Sequence, residues 1–225
     1  MLDASSEEEQ EKFRAVIRRG ISLWDGTGRL VFTSAGSVYR ENGGGLVNEE
    51  SEVKDDHPMR QCEVMVTDAG GAALRFSALY GFQRGGLWNV MGKTVGVDPA
   101  MTLEMCNYDD GASAVMTVMT AEESKVAGQV FNVCDSQGKQ VPEIFQSCTK
   151  VYEYRDVSVP EMTGCGNGVL GKRYDTSKIR ALGWKPRWES FDQWCEAHSK
   201  SPNQETNVLA MEEERVTVNS PSTVV

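Results

Sequence analysis

The sequence predicts an α/β fold, in which helices cover both faces of a parallel sheet. Three short apolar runs, near residues 29–34, 72–77 and 128–133, predict strands, and segments with helical apolar spacing lie between them. A strand, a long crossover and a second strand form a parallel pair. With 225 residues, of which 40% are hydrophobic, the chain is long enough to bury a core around such a sheet.

The first predicted element is an amphipathic helix over residues 6–24. Ser5 and Ser6 precede Glu8 and Glu9 in the pattern of a capping box, which marks a helix start. Apolar residues then recur at helical spacing, namely Phe13, Val16, Ile17, Ile21 and Trp24. The glycine-rich turn that follows ends the helix.

The first predicted strand ends at Thr33 and Ser34, and a polar, glycine-rich stretch follows at residues 41–56. Residues 41–63 hold seven acidic and two basic side chains, so this stretch is interpreted as a solvated surface loop. A helix beginning near Met59 and stopped by Gly70–Gly71 then connects to the second strand.

The rest of the chain continues the alternation of helices and strands. Helices are predicted from apolar stripes at Ala112, Val115, Met116 and Met119, at Val141, Ile144, Phe145, Cys148 and Val151, and at Phe191, Trp194, Cys195 and His198. Residues 1–198 are expected to form the folded domain. The polar segment 199–225 lacks periodicity and is predicted to be a disordered tail.

Composition argues against several classes of protein. The net charge of −10 disfavours binding to nucleic acid or to an anionic membrane, and no apolar run approaches the ~18 residues of a membrane span. Six cysteines are spread singly, at positions 62, 106, 134, 148, 165 and 195, which fits neither a disulfide scaffold nor a zinc site. We therefore expect no metal and a reducing intracellular compartment, the cytoplasm or, alternatively, an organelle interior such as the chloroplast stroma.

Six segments resemble, in the right order, the motifs of one enzyme family. They are TSAGSVY at 33–39, VNEES at 47–51, LRFSALYG at 74–81, YDDGAS at 108–113, GQVFNV at 128–133 and KIRALGWKP at 178–186. This pattern is similar to the extended and atypical short-chain dehydrogenase/reductases, the NAD-dependent epimerase/dehydratase family, and to a plant-like atypical branch of it. The resemblance implies the later two-thirds of a Rossmann-like fold, with a small C-terminal substrate-side subdomain.

The resemblance also implies a cofactor, NAD or NADP, and residues that contact it. Thr33, Ser34, Leu79 and Tyr80 would contact the nicotinamide end. The family's catalytic hydroxyl aligns with Ala35, so the flanking Ser34 and Ser37 are weak catalytic candidates.

For the substrate, the resemblance implies a nucleotide sugar or a related small molecule. Arg84 and Lys93 lie in the stretch that contacts phosphorylated sugar groups in the family, although solvated surface bases are the plainer interpretation. Tyr39 and Trp184 are interpreted as structural residues.

Two family features are missing from their usual places. The glycine-rich turn that holds the cofactor pyrophosphate belongs before the Thr33 strand, where only 32 residues precede, and the Tyr-x-x-x-Lys pair belongs where Met59–Glu63 stands. Gly166-x-Gly168-x-x-Gly171 and Tyr174-x-x-x-Lys178 match the letters of these motifs, but both are late in the chain. We interpret them as a loop and a surface helix.

Three hypotheses therefore remain open. The chain is an NAD(P)-dependent enzyme of this family, a non-catalytic relative that binds a ligand or a protein partner, or a shortened product whose first strands lie upstream. The first predicted strand would then carry an unpaired edge, so we expect homo-oligomers or a protein partner there.

Overall fold

The computed structural model describes residues 6–81, 86–164 and 168–200. Its helices are α1 (Glu7–Leu23), α2 (Pro58–Asp68), α3 (Gly86–Val90), α4 (Tyr108–Thr120), α5 (Glu123–Val126), α6 (Val141–Cys148), α7 (Ser177–Arg180) and α8 (Phe191–Ala197). Its strands are β1 (Val31–Ala35), β2 (Gly43–Val47), β3 (Ala72–Phe76), β4 (Ala78–Tyr80), β5 (Thr94–Val95), β6 (Thr102–Leu103), β7 (Met105–Asn107), β8 (Val130–Val133), β9 (Lys139–Gln140), β10 (Glu161–Met162) and β11 (Gly171–Tyr174).

The three strands expected from apolar runs form one parallel sheet in the order β1-β3-β8. Thr33 lies opposite Leu74, and Leu74 lies opposite Phe131. Helix α2 connects β1 to β3, as the crossover argument requires. The predicted α/β class with parallel strands is confirmed.

Helices cover both faces of this sheet, and alternate strand residues supply the two cores. On one face, Phe32 and Ala73 pack with Cys62 and Val66 of α2, and the apolar stripe of α1 lies against them. On the other face, Leu74 and the other alternate residues of β3 and β8 pack with Ala114 and Val118 of α4. The period of two along a strand thus assigns each side chain to one helical layer.

Helix α1 begins as the sequence predicts. The Glu9 backbone N–H donates to the Ser6 hydroxyl at 3.3 Å, and the Ser6 N–H donates to the Glu9 carboxylate at 2.9 Å. Ser6 is therefore the N-cap, and its exchange of hydrogen bonds with Glu9 is a capping box.

The expectation of a simple surface loop at 41–56 was wrong in part, because residues 43–47 form strand β2. This strand pairs in parallel with β11, in a four-stranded sheet of order β2-β11-β6-β9. Its sequence, GGGLV, carries no strand signal of its own, since glycine weakens a strand. The pairing partner, more than 120 residues away, decides the conformation.

The helix expected over Tyr174–Arg180 is shorter, because Tyr174 ends β11 and α7 begins at Ser177. Strand β11 starts at Gly171, whose φ is +78°. A Cβ at this position would lie 2.0 Å from the Thr102 carbonyl oxygen of β6, so only glycine allows the two strands to meet.

A third core packs the C-terminal helices onto β4. Tyr80 lies edge-on to Phe191 at 4.8 Å and to Trp194 at 5.5 Å, and Trp88 of α3 joins the same cluster. At the start of the last helix, the Gln193 N–H donates to the Ser190 hydroxyl, which makes Ser190 the N-cap.

Further predictions from the sequence concern the cysteines, Trp184, membrane-spanning helices and the bounds of the domain. Five cysteines, all those outside position 165, are free and buried, and Trp184 is 2% exposed. Among the described residues, no helix is long and apolar enough to cross a membrane. The extent of the domain, 1–198, stays a prediction, and the proposed tail lies outside the described residues from position 201 onward.

Candidate functional site

The carboxyl end of β1 is built around a buried ion pair. Both side chains, Glu63 of α2 and Arg75 of β3, are at most 2% exposed. Arg75 Nε and Nη2 donate to the two Glu63 carboxylate oxygens at 2.9 Å and 2.7 Å, and Ser34 Oγ donates to Oε1 at 2.6 Å. The Ser34 hydroxyl is therefore engaged inside the protein, on the α2 side of the sheet.

Tyr39 extends this network across the sheet. The Arg75 guanidinium lies 4.7 Å from the centre of the Tyr39 ring, and the Tyr39 hydroxyl donates to Asn132 Oδ1 at 2.7 Å. Burial raises the pKa of the Tyr39 hydroxyl above its ordinary value. The Asn132 N–H in turn donates to Glu49 at 2.8 Å. These contacts place Tyr39 in the core and give it a structural role.

Ser37, the other candidate hydroxyl, lies beside a histidine. Its Oγ is 3.1 Å from His57 Nε2, and His57 Nδ1 accepts the Met59 N–H at 3.2 Å as the N-cap of α2. Because Nδ1 accepts, the ring proton of the neutral imidazole sits on Nε2, and that atom donates to Ser37. In this arrangement His57 cannot take the Ser37 proton, so the pair does not form an activated nucleophile.

The remaining residues expected at the nicotinamide lie in different surroundings. Thr33 is exposed on the face opposite Ser34, because adjacent strand residues point to opposite faces. Leu79 is half-buried and packs against the core that contains α4. Tyr80 is fully buried in the aromatic cluster, where its hydroxyl has no hydrogen-bond partner and burial raises its pKa. The structure does not gather these side chains around one opening.

Only one of the two expected substrate contacts lies among the described residues. Lys93 is exposed just before β5, and Arg84 lies outside the described residues. As for the late Tyr-x-x-x-Lys match, Tyr174 is in a strand and packs its hydroxyl over Gly36, whereas Lys178 lies in α7 with its Nζ 5.2 Å from the centre of the Phe131 ring. The two residues do not share a helix face.

The residues expected to hold a dinucleotide do not fit that role in this structure. A bound pyrophosphate needs free backbone N–H groups at a helix N-terminus. In the four longest helices of the described segments, some of these groups are already engaged or absent: Ser6 caps α1, His57 caps α2 ahead of Pro58, Asn107 caps α4, and Pro142 removes one N–H from α6. Acids in the first turn of α1, α4 and α6 also oppose an incoming anion. No described cluster of three histidine, cysteine or acidic residues could hold a metal.

Sequence reasoning missed an open cleft of about 620 Å³ just beyond the carboxyl end of β8. Its polar lining consists of Asp135, Ser136, Gln137, Asp175, Thr176, Ser177 and Arg180, with Leu46 and Tyr174 beside them. The rule that ligands bind beyond the carboxyl ends of parallel strands could have drawn attention to Asp135–Gln137, which directly follow the β8 motif. The second wall could not be foreseen, because it comes from 40 residues later in the chain.

Two buried carboxyl groups lie near one another beside this cleft. Burial raises the pKa of Asp135 to about 7, and the nearby Glu104 adds to the effect. Burial also raises the pKa of Glu104, although its Oε2 accepts hydrogen bonds from Cys134 Sγ at 3.1 Å and from the Tyr174 N–H at 2.8 Å. The surroundings of Asp135 therefore favour its neutral, protonated form more than water does for an exposed aspartate.

Comparison with known proteins shows the fold. No protein-family model and no curated protein matches the sequence. Similar solved structures include Thermotoga maritima UDP-glucose 4-epimerase with UDP-glucose, at 16% identity and a TM-score of 0.63, where the match covers 86% of this chain and 68% of the other. RMD from Pseudomonas aeruginosa with NADPH is similar at 15% identity and a TM-score of 0.63, covering 83% and 70%.

The human epimerase family protein SDR39U1 with NADPH is also similar, at 12% identity and a TM-score of 0.65, covering 86% of this chain and 75% of the other. The class that these structures define is a Rossmann-like α/β fold found in epimerases, and this chain has that fold. At such identities the likeness extends to the fold alone. The plant-like branch stays a prediction.

Proposed function

We propose that this chain is a non-catalytic, ligand-binding form of the epimerase/reductase fold. The observation that carries the proposal is that the N-termini of α1, α2, α4 and α6 each carry a capping side chain, a proline or acids in the first turn. Among the described residues, these four helices therefore offer a cofactor pyrophosphate a poor site.

The fate of the candidate catalytic groups supports the same conclusion. Ser34 donates to the buried Glu63 carboxylate, and Ser37 receives a hydrogen bond from His57. Both tyrosines near the end of β1, Tyr39 and Tyr174, are buried, with pKa values raised by burial. A general acid/base must reach the reacting atom and titrate near the working pH, and these groups meet neither condition.

The second candidate is an NAD(P)-dependent epimerase, dehydratase or reductase acting on a nucleotide sugar or a related small molecule. It is favoured by the bound NADPH and UDP-glucose of the similar structures. Under this alternative, a strand and a glycine-rich turn from elsewhere would complete the site next to β1. The proposal includes an intracellular, reducing compartment, the cytoplasm before the chloroplast stroma, which five free, buried cysteines support.

Isothermal titration calorimetry with NADH and NADPH tests the proposal. Micromolar binding requires about 8 kcal/mol, whereas the few hydrogen bonds that Thr33 and its neighbours offer contribute about 1 kcal/mol each. We expect that any binding of either cofactor is weaker than a dissociation constant of about 1 mM. An NADPH-binding reductase of the same fold is the positive control. A micromolar dissociation constant for either cofactor would refute the non-catalytic assignment.

A further inference from the structure

The cleft beyond β8 lies where the carboxyl ends of strands from two sheets converge. One wall is the segment Asp135–Gln137, which directly follows β8, and the other is Tyr174–Arg180, which includes the end of β11. Leu46, near the end of β2, borders the opening. Its volume of about 620 Å³ is in the range of about 300–1,000 Å³ that small-molecule sites occupy.

One wall of the cleft contains a buried polar atom that lacks a partner. Asp135 is 4% exposed, and its Oδ1 accepts the Gln137 N–H at 3.0 Å, but its Oδ2 has no hydrogen bond. Buried polar atoms are nearly always hydrogen-bonded, so an unpaired oxygen on a residue that lines a cleft points to a partner supplied from that side. Independently, the next residue, Ser136, has a φ of +63°, a left-handed conformation that costs energy for a serine and is concentrated at binding sites.

The rest of the lining offers hydroxyl and guanidinium groups held in place. Ser136 Oγ and Thr176 Oγ1 are hydrogen-bonded at 2.9 Å, and Arg180 Nε donates to Thr176 Oγ1 at 2.9 Å. Arg180 Nη2 contacts the Asp135 carbonyl at 3.4 Å, so the guanidinium is anchored to both walls. These groups form one connected set of donors and acceptors around the opening.

The charges of the lining nearly cancel. Hydrogen bonds from Ser177 lower the pKa of Asp175, which is therefore ionised and offsets the positive charge of Arg180. An anionic ligand would approach Asp175, and a cationic ligand would approach Arg180. Hydroxyl groups both donate and accept, so they can satisfy the carboxyl, hydroxyl and guanidinium groups together.

We propose that this cleft binds an uncharged polyol of about monosaccharide size, whose neighbouring hydroxyl groups bond to Asp135, Ser136 and Arg180. This inference deepens the proposed ligand-binding function and rests on it. It assigns the recognition of the ligand to the ends of β8 and β11, away from the candidate residues at the end of β1.

Saturation-transfer NMR on the full chain, with myo-inositol and D-glucose as probes, tests the inference. We expect saturation transfer to at least one of these two polyols, with a millimolar dissociation constant. Gluconate and glucosamine, which have similar hydroxyl groups but carry a charge, should bind at least five-fold more weakly. No transfer to either polyol, or equal affinity for the charged compounds, would overturn it.

Two variants locate the binding, and a third controls for general effects. Ser136→Gly removes the hydroxyl and relieves the positive φ, so it should weaken polyol binding at least five-fold without lowering the melting temperature. Arg180→Gln should weaken it similarly, whereas Ser199→Gly, an exposed position outside the cleft lining, should change nothing. Unchanged affinity in both cleft variants would refute the site. Calorimetry with NADH decides the non-catalytic assignment separately, so the two proposals can fail independently.

Discussion

Glu63 and Arg75 form a two-point ion pair that joins α2 to β3, with hydrogen bonds of 2.9 Å and 2.7 Å. The carboxylate also accepts the Ser34 hydroxyl, so the same pair fixes the end of β1. Because both charges are buried, removing either partner leaves the other poorly compensated, although Arg60 Nη1 also lies 3.4 Å from the Glu63 carboxylate. The pair therefore stabilises this end of the sheet, and it engages the Ser34 hydroxyl in a structural hydrogen bond.

Removing one member of this pair should destabilise the fold strongly. We expect Glu63→Gln or Arg75→Met to lower the free energy of unfolding by about 3–5 kcal/mol, since each leaves an uncompensated buried charge or an unsatisfied group. The double variant Glu63→Gln/Arg75→Met should lose clearly less than the sum of the two single losses. Urea denaturation monitored by circular dichroism measures these values.

The exposed pair Lys150–Glu196 provides the matched control. Glu196→Gln should change the free energy of unfolding by less than about 1 kcal/mol, because water screens surface pairs. Additive losses in the Glu63/Arg75 double variant would contradict the coupling described here.

Asp135 should make the fold less stable as the pH rises. Its pKa is about 7 in the folded protein and near the ordinary value of 3.8 when unfolded, so the folded state binds the proton more tightly. The stabilisation is complete below pH 4 and is lost as the pH rises through 7. Between pH 5.5 and 8 this group alone should cost about 2 kcal/mol.

Asp135→Asn isolates this effect, because the amide keeps the oxygen that accepts the Gln137 N–H. The stability of the variant relative to the wild type should rise by about 2 kcal/mol between pH 5.5 and pH 8, measured by urea denaturation at both values. A parallel profile for Asp135→Asn would show that the buried carboxyl does not titrate as stated.

The late glycine motif should prove structural. Gly171→Ala would place a methyl group against the Thr102 carbonyl, at a backbone φ of +78°, and should lower the free energy of unfolding by more than about 3 kcal/mol. Gly168 also has a positive φ, +74°, but nothing lies within 4 Å of an added Cβ. Gly168→Ala should therefore cost only about 1 kcal/mol, from backbone strain. Equal losses in thermal denaturation would argue against the close approach of β6 and β11.

The free edge of β1 should promote association. Among the described residues, β1 pairs with β3 alone, so its other side offers unpaired backbone groups to a second chain. We expect dimers or larger species by light scattering at high concentration, and we expect Thr33→Lys to reduce them because a lysine on an edge opposes pairing. Thr120→Lys, at the exposed end of α4, is the control. A monomeric wild type would contradict this expectation.

Local patterns in the sequence were sufficient to locate the main sheet and its helices. The apolar runs near 29–34, 72–77 and 128–133, which form β1, β3 and β8, and the cap formed by Ser6 and Glu9 depend on neighbours within a few residues. Such patterns can be recognised without knowledge of the fold, because strand alternation, helical spacing and capping are properties of the local chain. The same helical spacing placed Cys148 and Cys195 in apolar stripes, and both are buried.

The site was decided only by the tertiary structure. Glu63 accepts a hydrogen bond from Ser34, which is 29 residues away in the sequence. Gly43–Val47 forms a strand because β11 lies beside it, and the cleft brings Asp135 and Arg180 together. Burial leaves Asp135 Oδ2 without a hydrogen bond and raises the pKa of the Asp135 carboxyl. The elements that bury it are distant in the sequence. Composition and spacing fix what each segment can form, but desolvation and pairing depend on which distant segments the fold brings together.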